Sequence, residues 1–239
     1  MNPVPKCLID ISGSPGWHHS DRRPIDIPYQ ARVPNEMAHR NRLCGLPLKV
    51  KRTVDLLVSF AVLTAFSPVL FAVGILLFLA MGRPIFFRQR RAGFQGREFE
   101  VIKFRSMRPV QPGQGYVTNM RDPRITKLGG LLRRTSLDEL PQLFNVLSGD
   151  MSLVGPRPLP LASIRPDERI RLEARPGITG LAAISGRQLL TWDERMALDR
   201  WYVENWSLWL DMRILWRTIP VVLSQAGVYD PDGEMKARS

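Results

Sequence analysis

The chain has 239 residues, with 34 lysines and arginines against 22 aspartates and glutamates, a formal net charge of +12 and three histidines. That length is enough to bury a core, and an arginine-rich positive excess suits partners that carry phosphate: nucleic acid, an anionic membrane or a phosphorylated small molecule. Cys7 and Cys44 lack C-x-x-C spacing, which argues against a disulfide framework or a thiolate zinc site. His18, His19 and His39 all precede residue 40, so beyond it no histidine-dependent triad or metal site is available unless the N-terminus folds back, and carboxylates must carry the acid, base or nucleophilic work.

Residues 1–47 mix proline, glycine, serine, arginine and histidine without periodicity or the apolar region of a signal peptide, and are expected to form a disordered basic tail. Arg22, Arg23, Arg32, Arg40 and Arg42 could touch anionic headgroups there, or simply be solvated. A membrane helix is expected over 48–82, because Leu56 to Gly82 contains no charged side chain. Ser67-Pro68 interrupts that run, and cations stand on both sides of it: Lys49, Lys51 and Arg52 before, Arg83, Arg88, Arg90 and Arg91 after. A helix that enters the membrane, breaks at Ser67-Pro68 and returns to the cytoplasmic face satisfies both observations. A kinked spanning helix and a buried soluble helix are the alternatives.

A compact body is expected over 83–226, followed by a tail at 227–239. The run from Pro84 to Arg91, turn residues at Gly93 and Gly96, and the run from Glu98 to Met107 read as a hairpin. Lys103 and Arg105 share one face of its second strand, where they could bind phosphate or pair with Glu98 or Glu100. The glycines and prolines of 109–121 suggest a loop able to cover a site, and a short helical stretch is expected from Asp122 to Arg133.

Next come adjacent acids, Asp138 and Glu139. Ser136 and Glu139 match a capping box, and Leu140, Leu143, Phe144 and Leu147 keep helical spacing behind them, so the acids are expected at a helix start that favours their ionised form. Capping by Ser136 and Glu139 with Asp138 solvated is the plainer alternative. Gly149 ends the helix, and Arg157 lies between two prolines in V-G-P-R-P. R-P-G-I-T-G at 175–180 and S-G-R at 185–187 again place arginine beside turns through which backbone amides could approach an anion. Residues 192–223 read as helical, with tryptophans and arginines interleaved, which suits either a membrane interface or a helix-packing core.

Several ordered motifs together carry a family resemblance: K-R-T-V-D before the Ser-Pro helix, K-F-R-S-M, D-P-R-I-T, the run from Leu132 through Pro158, R-P-G-I-T-G, G-R, and D-x-x-Y-V. From about Lys51 to Leu223 the chain resembles the bacterial sugar transferase family, the monotopic polyprenyl-phosphate phosphoglycosyl transferases. The resemblance implies an α/β fold: a small mixed helix and hairpin body with interfacial amphipathic helices and one re-entrant, Ser-Pro-broken membrane helix. It implies transfer of a sugar 1-phosphate from a UDP-sugar to undecaprenyl phosphate at the cytoplasmic face of the inner membrane, with release of UMP, a requirement for Mg2+ and a role in starting exopolysaccharide, capsule or O-antigen assembly. By position, Asp138 is the implied nucleophile and Glu139 the implied metal ligand. Lys103, Arg105, Arg133, Arg157, Arg187 and Asp199 are the implied phosphate and substrate residues. Anionic lipids are expected partners, nucleic acid is not, and a homodimer is compatible with the reading. A membrane-tethered nucleic-acid-binding protein and a noncatalytic assembly scaffold are the competing classes. L-A-A-I-S-G-R at 181–187 departs from the family version expected there.

Overall fold

The structure, a computed structural model, describes residues 46–109, 122, 124–186 and 190–224. Most of the expected N-terminal tail, the C-terminal tail, all histidines and cysteines, nearly all of the 109–121 loop and Arg187 lie outside the described residues.

The first element, α1, spans Leu46–Met81 and is the one helix among the described residues long and apolar enough to cross a membrane. At about 1.5 Å per residue, its 36 residues reach about 54 Å. The expected break at Ser67-Pro68 does not interrupt it, since the helix continues with Pro68 inside. The reason is local. Proline has no N–H for the Thr64 carbonyl four residues back, and the Ser67 hydroxyl donates to that carbonyl instead at 2.8 Å.

Both ends of α1 are held by the rest of the chain. Near its start, Lys51 Nζ donates to Asp211 Oδ2 at 2.6 Å and to the Val154 carbonyl at 3.1 Å. Asp55, buried, accepts from Ser152 Oγ at 2.8 Å and from the Leu153 amide at 3.2 Å. Near its end, Val73 and Leu77 pack with Phe104 and Leu132 in a buried cluster. Arg105 then donates to the carbonyls of Met81, Gly82 and Arg83, closing the helix C-terminus with a cation. Between these anchorages Thr64 to Val69 are all exposed.

The hairpin forms as expected. Strands β1 (Phe86–Ala92) and β2 (Glu98–Phe104) pair antiparallel with Phe87 opposite Lys103. Helix α2 (Lys127–Arg134) starts later than expected, capped by Thr126, and α3 (Gln142–Ser148) ends at Gly149 with φ 95°. Two three-residue strands, β3 (Ser152–Val154) and β4 (Gly177–Thr179), pair in parallel. Their glycines serve this pairing, which corrects the expectation that they open backbone to an anion. A Cβ on Gly177 would lie 2.1 Å from the Gly155 nitrogen, and one on Gly155 would lie 2.2 Å from the Arg175 carbonyl oxygen.

A short helix α4 (Leu181–Ile184) leads to α5 (Trp192–Glu204) and α6 (Leu208–Leu223). The tryptophans divide between the two expected roles. Trp206 is buried and donates to Asp211 at 3.1 Å, whereas Trp209 and Trp216 stand exposed on α6 with Met212, Ile219 and Leu223. That spacing makes an apolar stripe along one side of the helix.

Gly177→Ala should prevent the close approach of β3 and β4. Overpacking of this kind costs about 1–3 kcal/mol or more, so thermal unfolding of the purified chain should show a clearly lowered midpoint.

Candidate active site

Asp138 and Glu139 lie in a single 3₁₀ turn, Leu137–Glu139, between α2 and α3. The expected capping box is absent. Ser136 sits in the left-handed region at φ 56°, its side chain caps nothing, and α3 begins only at Gln142. A left-handed serine costs about 1–2 kcal/mol, and here it turns the chain sharply between α2 and the acids. Glu139 gains stronger partners than a backbone amide: Lys103 Nζ at 2.5 Å and Arg157 Nη2 at 3.4 Å, both on Oε1.

Lys103 meets Glu139 because β2 and α3 are joined by Asn145. This buried side chain accepts from the Ile102 amide at 3.0 Å and donates to the Glu100 carbonyl at 2.8 Å. It thereby behaves as a third strand on the edge of β2 opposite β1. The hairpin's Glu100 pairs across the strands with exposed Arg88 at 3.6 Å, which leaves Lys103 for the acid pair. Arg133, bonded through Nε to Ser106 Oγ at 2.8 Å, approaches from α2.

These surroundings set the two carboxyls apart. Burial, then the neighbouring Glu139 charge, pushes Asp138 up to about 6, against the opposing pull of Lys103, Arg133 and Arg157. Burial also pushes Glu139 upward, but Lys103 and Arg157 outweigh it and hold that carboxyl down at about 2. The expectation that a helix start favours the charged form of both acids is therefore corrected. Side-chain cations act on Glu139, and burial dominates at Asp138.

Of the expected substrate residues, the structure brings Lys103, Arg133 and Arg157 around the acids. Arg105 is instead committed to the end of α1. Asp199, 2% exposed, bonds Arg171 at 2.6 Å, and burial raises its carboxyl to about 6. Arg171 in turn donates to the Arg157 carbonyl at 2.7 Å, so Asp199 acts on the site through Arg171 and the Arg157 backbone. Arg175, in the R-P-G-I-T-G turn, donates to the Gly149 carbonyl at 2.9 Å at the end of α3, where Arg52 also reaches the Val146 and Leu147 carbonyls. Arg171 escaped the sequence reading altogether. Arg195 carried one usable signal, since it stands four residues before Asp199 on α5 and shares its face.

No group of three histidine, cysteine or acidic side chains converges among the described residues. Mg2+ needs no such cage, because it is commonly held by one or two carboxylates together with substrate phosphate and water. The donor set fits that pattern: both cations bind Glu139 through Oε1, leaving Oε2 unengaged by either, with Asp138 adjacent.

The model of the family described as "Bacterial sugar transferase" matches residues 47–225. The chain belongs to the bacterial sugar transferase family. A Bacillus subtilis (strain 168) protein named uncharacterized sugar transferase EpsL is 42% identical over 184 residues, covering 75% of this chain and 90% of that relative. A Caulobacter vibrioides protein (strain ATCC 19089 / CIP 103742 / CB 15) named UDP-glucose:undecaprenyl-phosphate glucose-1-phosphate transferase is 42% identical over 192 residues, covering 75% and 72% of the two chains. A Salmonella typhimurium protein (strain LT2 / SGSC1412 / ATCC 700720) named undecaprenyl-phosphate galactose phosphotransferase is 40% identical over 222 residues, 83% of this chain. The alignment spans only 44% of that longer relative. Within this sugar transferase, the matched region contains all of α1 but its first residue, the hairpin, the acid pair and Arg105, Arg133, Arg157, Arg171 and Arg175.

Asn145→Leu should leave the part-buried Ile102 amide and Glu100 carbonyl without their side-chain partner, at about 1 kcal/mol for each lost bond. Thermal unfolding should therefore move to lower temperature, while Asn145→Asp, which retains an acceptor for Ile102, should lose less.

Proposed function

We propose that this protein transfers a sugar 1-phosphate from a UDP-sugar to undecaprenyl phosphate at a membrane surface, releasing UMP, as an early step in polysaccharide assembly. Family membership and the printed activities of the Caulobacter and Salmonella relatives support the reaction class. The observation that carries the mechanism is the unequal acid pair: Asp138 buried beside Glu139, with Glu139 held by Lys103 and Arg157 through one oxygen.

In this reading an Asp138 carboxylate oxygen attacks the phosphorus attached to the sugar. The bond from that phosphorus to the bridging oxygen of the diphosphate breaks, and the electron pair leaves with UMP. An oxygen of the lipid phosphate then attacks the same phosphorus, the Asp138–phosphorus bond breaks, and the carboxylate is restored. No proton needs to be removed from the nucleophile, which suits a site without imidazole among the described residues. Lys103, Arg133 and Arg157 offset the negative charge that gathers when diphosphate meets carboxylate. Mg2+ held at Glu139 and Asp138 would supply charge neutralisation for the diphosphate.

Membrane placement follows from α1. Both of its ends bind the catalytic body while its exposed middle is apolar except for Thr64 and Ser67, which supports a monotopic, re-entrant arrangement in which α1 stays helical through Pro68 but bends there, with the active site on the cytoplasmic side. The exposed stripe of α6 supports an interfacial position for that helix. In a background lacking Cys7 and Cys44, cysteines at Leu48 and Arg83 should both resist an impermeant thiol reagent in intact cells. Labelling of just one of them from outside would establish a spanning helix instead.

Given UDP-glucose or UDP-galactose, Mg2+ and no lipid acceptor, the wild-type enzyme should release UMP in a stoichiometric burst and retain the sugar phosphate. Asp138→Asn should abolish burst and turnover, and Glu139→Gln should chiefly weaken Mg2+ dependence. Sugar label found on Glu139, or sustained turnover by Asp138→Asn, would reverse the assigned roles. Absence of a burst in a preparation that turns over would favour direct attack by the lipid phosphate.

The acid limb of the pH profile follows from the ionised nucleophile. Turnover should fall as pH drops through about 6, where Asp138 gains its proton. Lys103→Met removes a cation that lowers both acids, so each carboxyl rises and the acid limb should move to higher pH. An acid limb at unchanged pH in that variant would separate Lys103 from Asp138 ionisation.

A further inference from the structure

Strand β1 opens with two phenylalanines whose rings part company, because successive residues of a strand face opposite ways. Phe86 stacks on Phe104 with ring centres 5.3 Å apart, and Phe104 belongs to the buried cluster that includes Val73 and Leu77 of α1. Phe87 faces the other side of the sheet and is 47% exposed, so folding leaves nearly half of its surface uncovered.

That other side belongs to the active site. Phe87 stands directly opposite Lys103 in the strand register, and partners of this kind carry their Cβ atoms about 5 Å apart on one face. Lys103 Nζ lies 2.5 Å from Glu139. Asn145 holds α3 on the edge of β2 away from β1, so Lys103 is flanked by the acid pair on one side and by an uncovered phenyl ring on the other.

The hairpin also has a direction relative to α1. At the close of β2 the Arg105 amide donates to the Ile85 carbonyl at 2.9 Å, and its guanidinium donates to the carbonyls of Met81 and Gly82. The Phe87 end of the sheet is thus fastened to the end of the apolar helix, whose Ile75, Leu76, Phe78 and Leu79 are exposed. The opposite end, at Ala92, is about 17 Å away at about 3.3 Å per residue, and the turn beyond it carries the polar Gln95, Arg97 and Glu98. A substrate that travels in the membrane therefore meets the sheet at Phe87, whereas a water-soluble nucleotide gains nothing from that end.

We propose that Phe87 receives the isoprene unit adjoining the phosphate of the lipid acceptor, and that this contact lets the site distinguish an isoprenoid phosphate from a saturated alkyl phosphate. The proposal rests on the acceptor assigned above. In such a lipid the hydrocarbon is joined to the phosphate through a single oxygen, so an anion drawn to Lys103 brings its first branched carbons beside the ring. Covering the ring with methyl and alkene carbon removes apolar surface of both partners from water, a gain that a hydroxyl-rich sugar matches poorly. An unsaturated, branched unit is also stiffer than a saturated chain, and it loses less freedom when laid along a phenyl face.

With the full chain in detergent, Mg2+ and UDP-glucose or UDP-galactose, Phe87→Ala should raise KM for undecaprenyl phosphate about tenfold, the loss expected when about half of a phenyl surface is no longer covered. Donor KM and kcat should stay at wild-type values, and Phe87→Leu should recover part of the loss. Wild type should prefer farnesyl phosphate to dodecyl phosphate, and Phe87→Ala should lose that preference. Phe144→Ala, which removes a ring of similar exposure from α3, should leave both KM values unchanged.

The identity of the ring's partner is read without turnover. In nanodiscs containing undecaprenyl phosphate, illumination of the Phe87→p-benzoylphenylalanine protein should give an adduct with the isoprenoid phosphate. An adduct with bulk phospholipid alone, or with the UDP-sugar, would overturn the assignment. So would an unchanged lipid KM in folded Phe87→Ala protein, or a rise confined to the donor. A wild-type chain that transfers no sugar phosphate to the lipid, alongside an isoprenoid adduct at position 87, would count against the acceptor reading and not against the contact.

Discussion

The side-chain amide of Asn145 joins the hairpin to the helix that follows the acids, and the arrangement of the site depends on that join. A two-stranded hairpin is marginal alone, and its outer edge carries unpaired amides and carbonyls. Asn145 satisfies one of each on β2 while belonging to α3. The distance between Lys103 and Glu139 is thus set by a buried hydrogen-bonded pair, not by two long side chains finding one another in solvent. Arg157 reaches the same oxygen from the proline-bounded segment after β3, so two separate stretches of chain converge on Glu139.

Two uses of arginine stand out among the described residues. Arg52 and Arg175 close the C-terminus of α3, and Arg105 closes that of α1, where unpaired carbonyls and the helix dipole favour a cation. Arg133, Arg157, Arg171 and Arg195 instead surround the acids and Asp199. The large positive excess of the composition is accordingly part helix-closing scaffold and part charge gathered around the acids. Counting charge in the sequence cannot separate the two, because a guanidinium at the end of a flexible side chain takes its role from a partner outside its own segment, 18 positions away for Arg157, 26 for Arg175 and 94 for Arg52.

The periodic and punctuated parts of the fold were legible in the sequence. The apolar length of α1, the hairpin runs on either side of Gly93 and Gly96, and the stop at Gly149 all rest on local chemistry. The acid pair and three of its cationic neighbours were found through motif resemblance. Two of the misreadings share one cause, competition from partners outside the local segment. Glu139 matched a capping residue, yet Lys103 and Arg157 supply better bonds than the backbone. The glycines of R-P-G-I-T-G looked like an anion loop, yet β3 and β4, at three residues each, are too short to announce themselves and need that space for their own backbones. Ser67-Pro68 looked like a break, yet one hydroxyl suffices to satisfy the carbonyl that proline abandons.

The contact between Lys51 and Asp211 spans 160 positions, and that separation bears on how the molecule is made. A chain leaves the ribosome N-terminus first, so α1 is synthesised well before α6. Until α6 arrives, Lys51 lacks its carboxylate partner, and Asp55 must wait for β3 before it is bonded. The helix best suited to lipid therefore begins life with charged groups unsatisfied at its base, and the last helix completes their pairing. Membrane attachment and enclosure of the catalytic body are consequently one coupled assembly event, finished only when nearly the whole described chain has been translated.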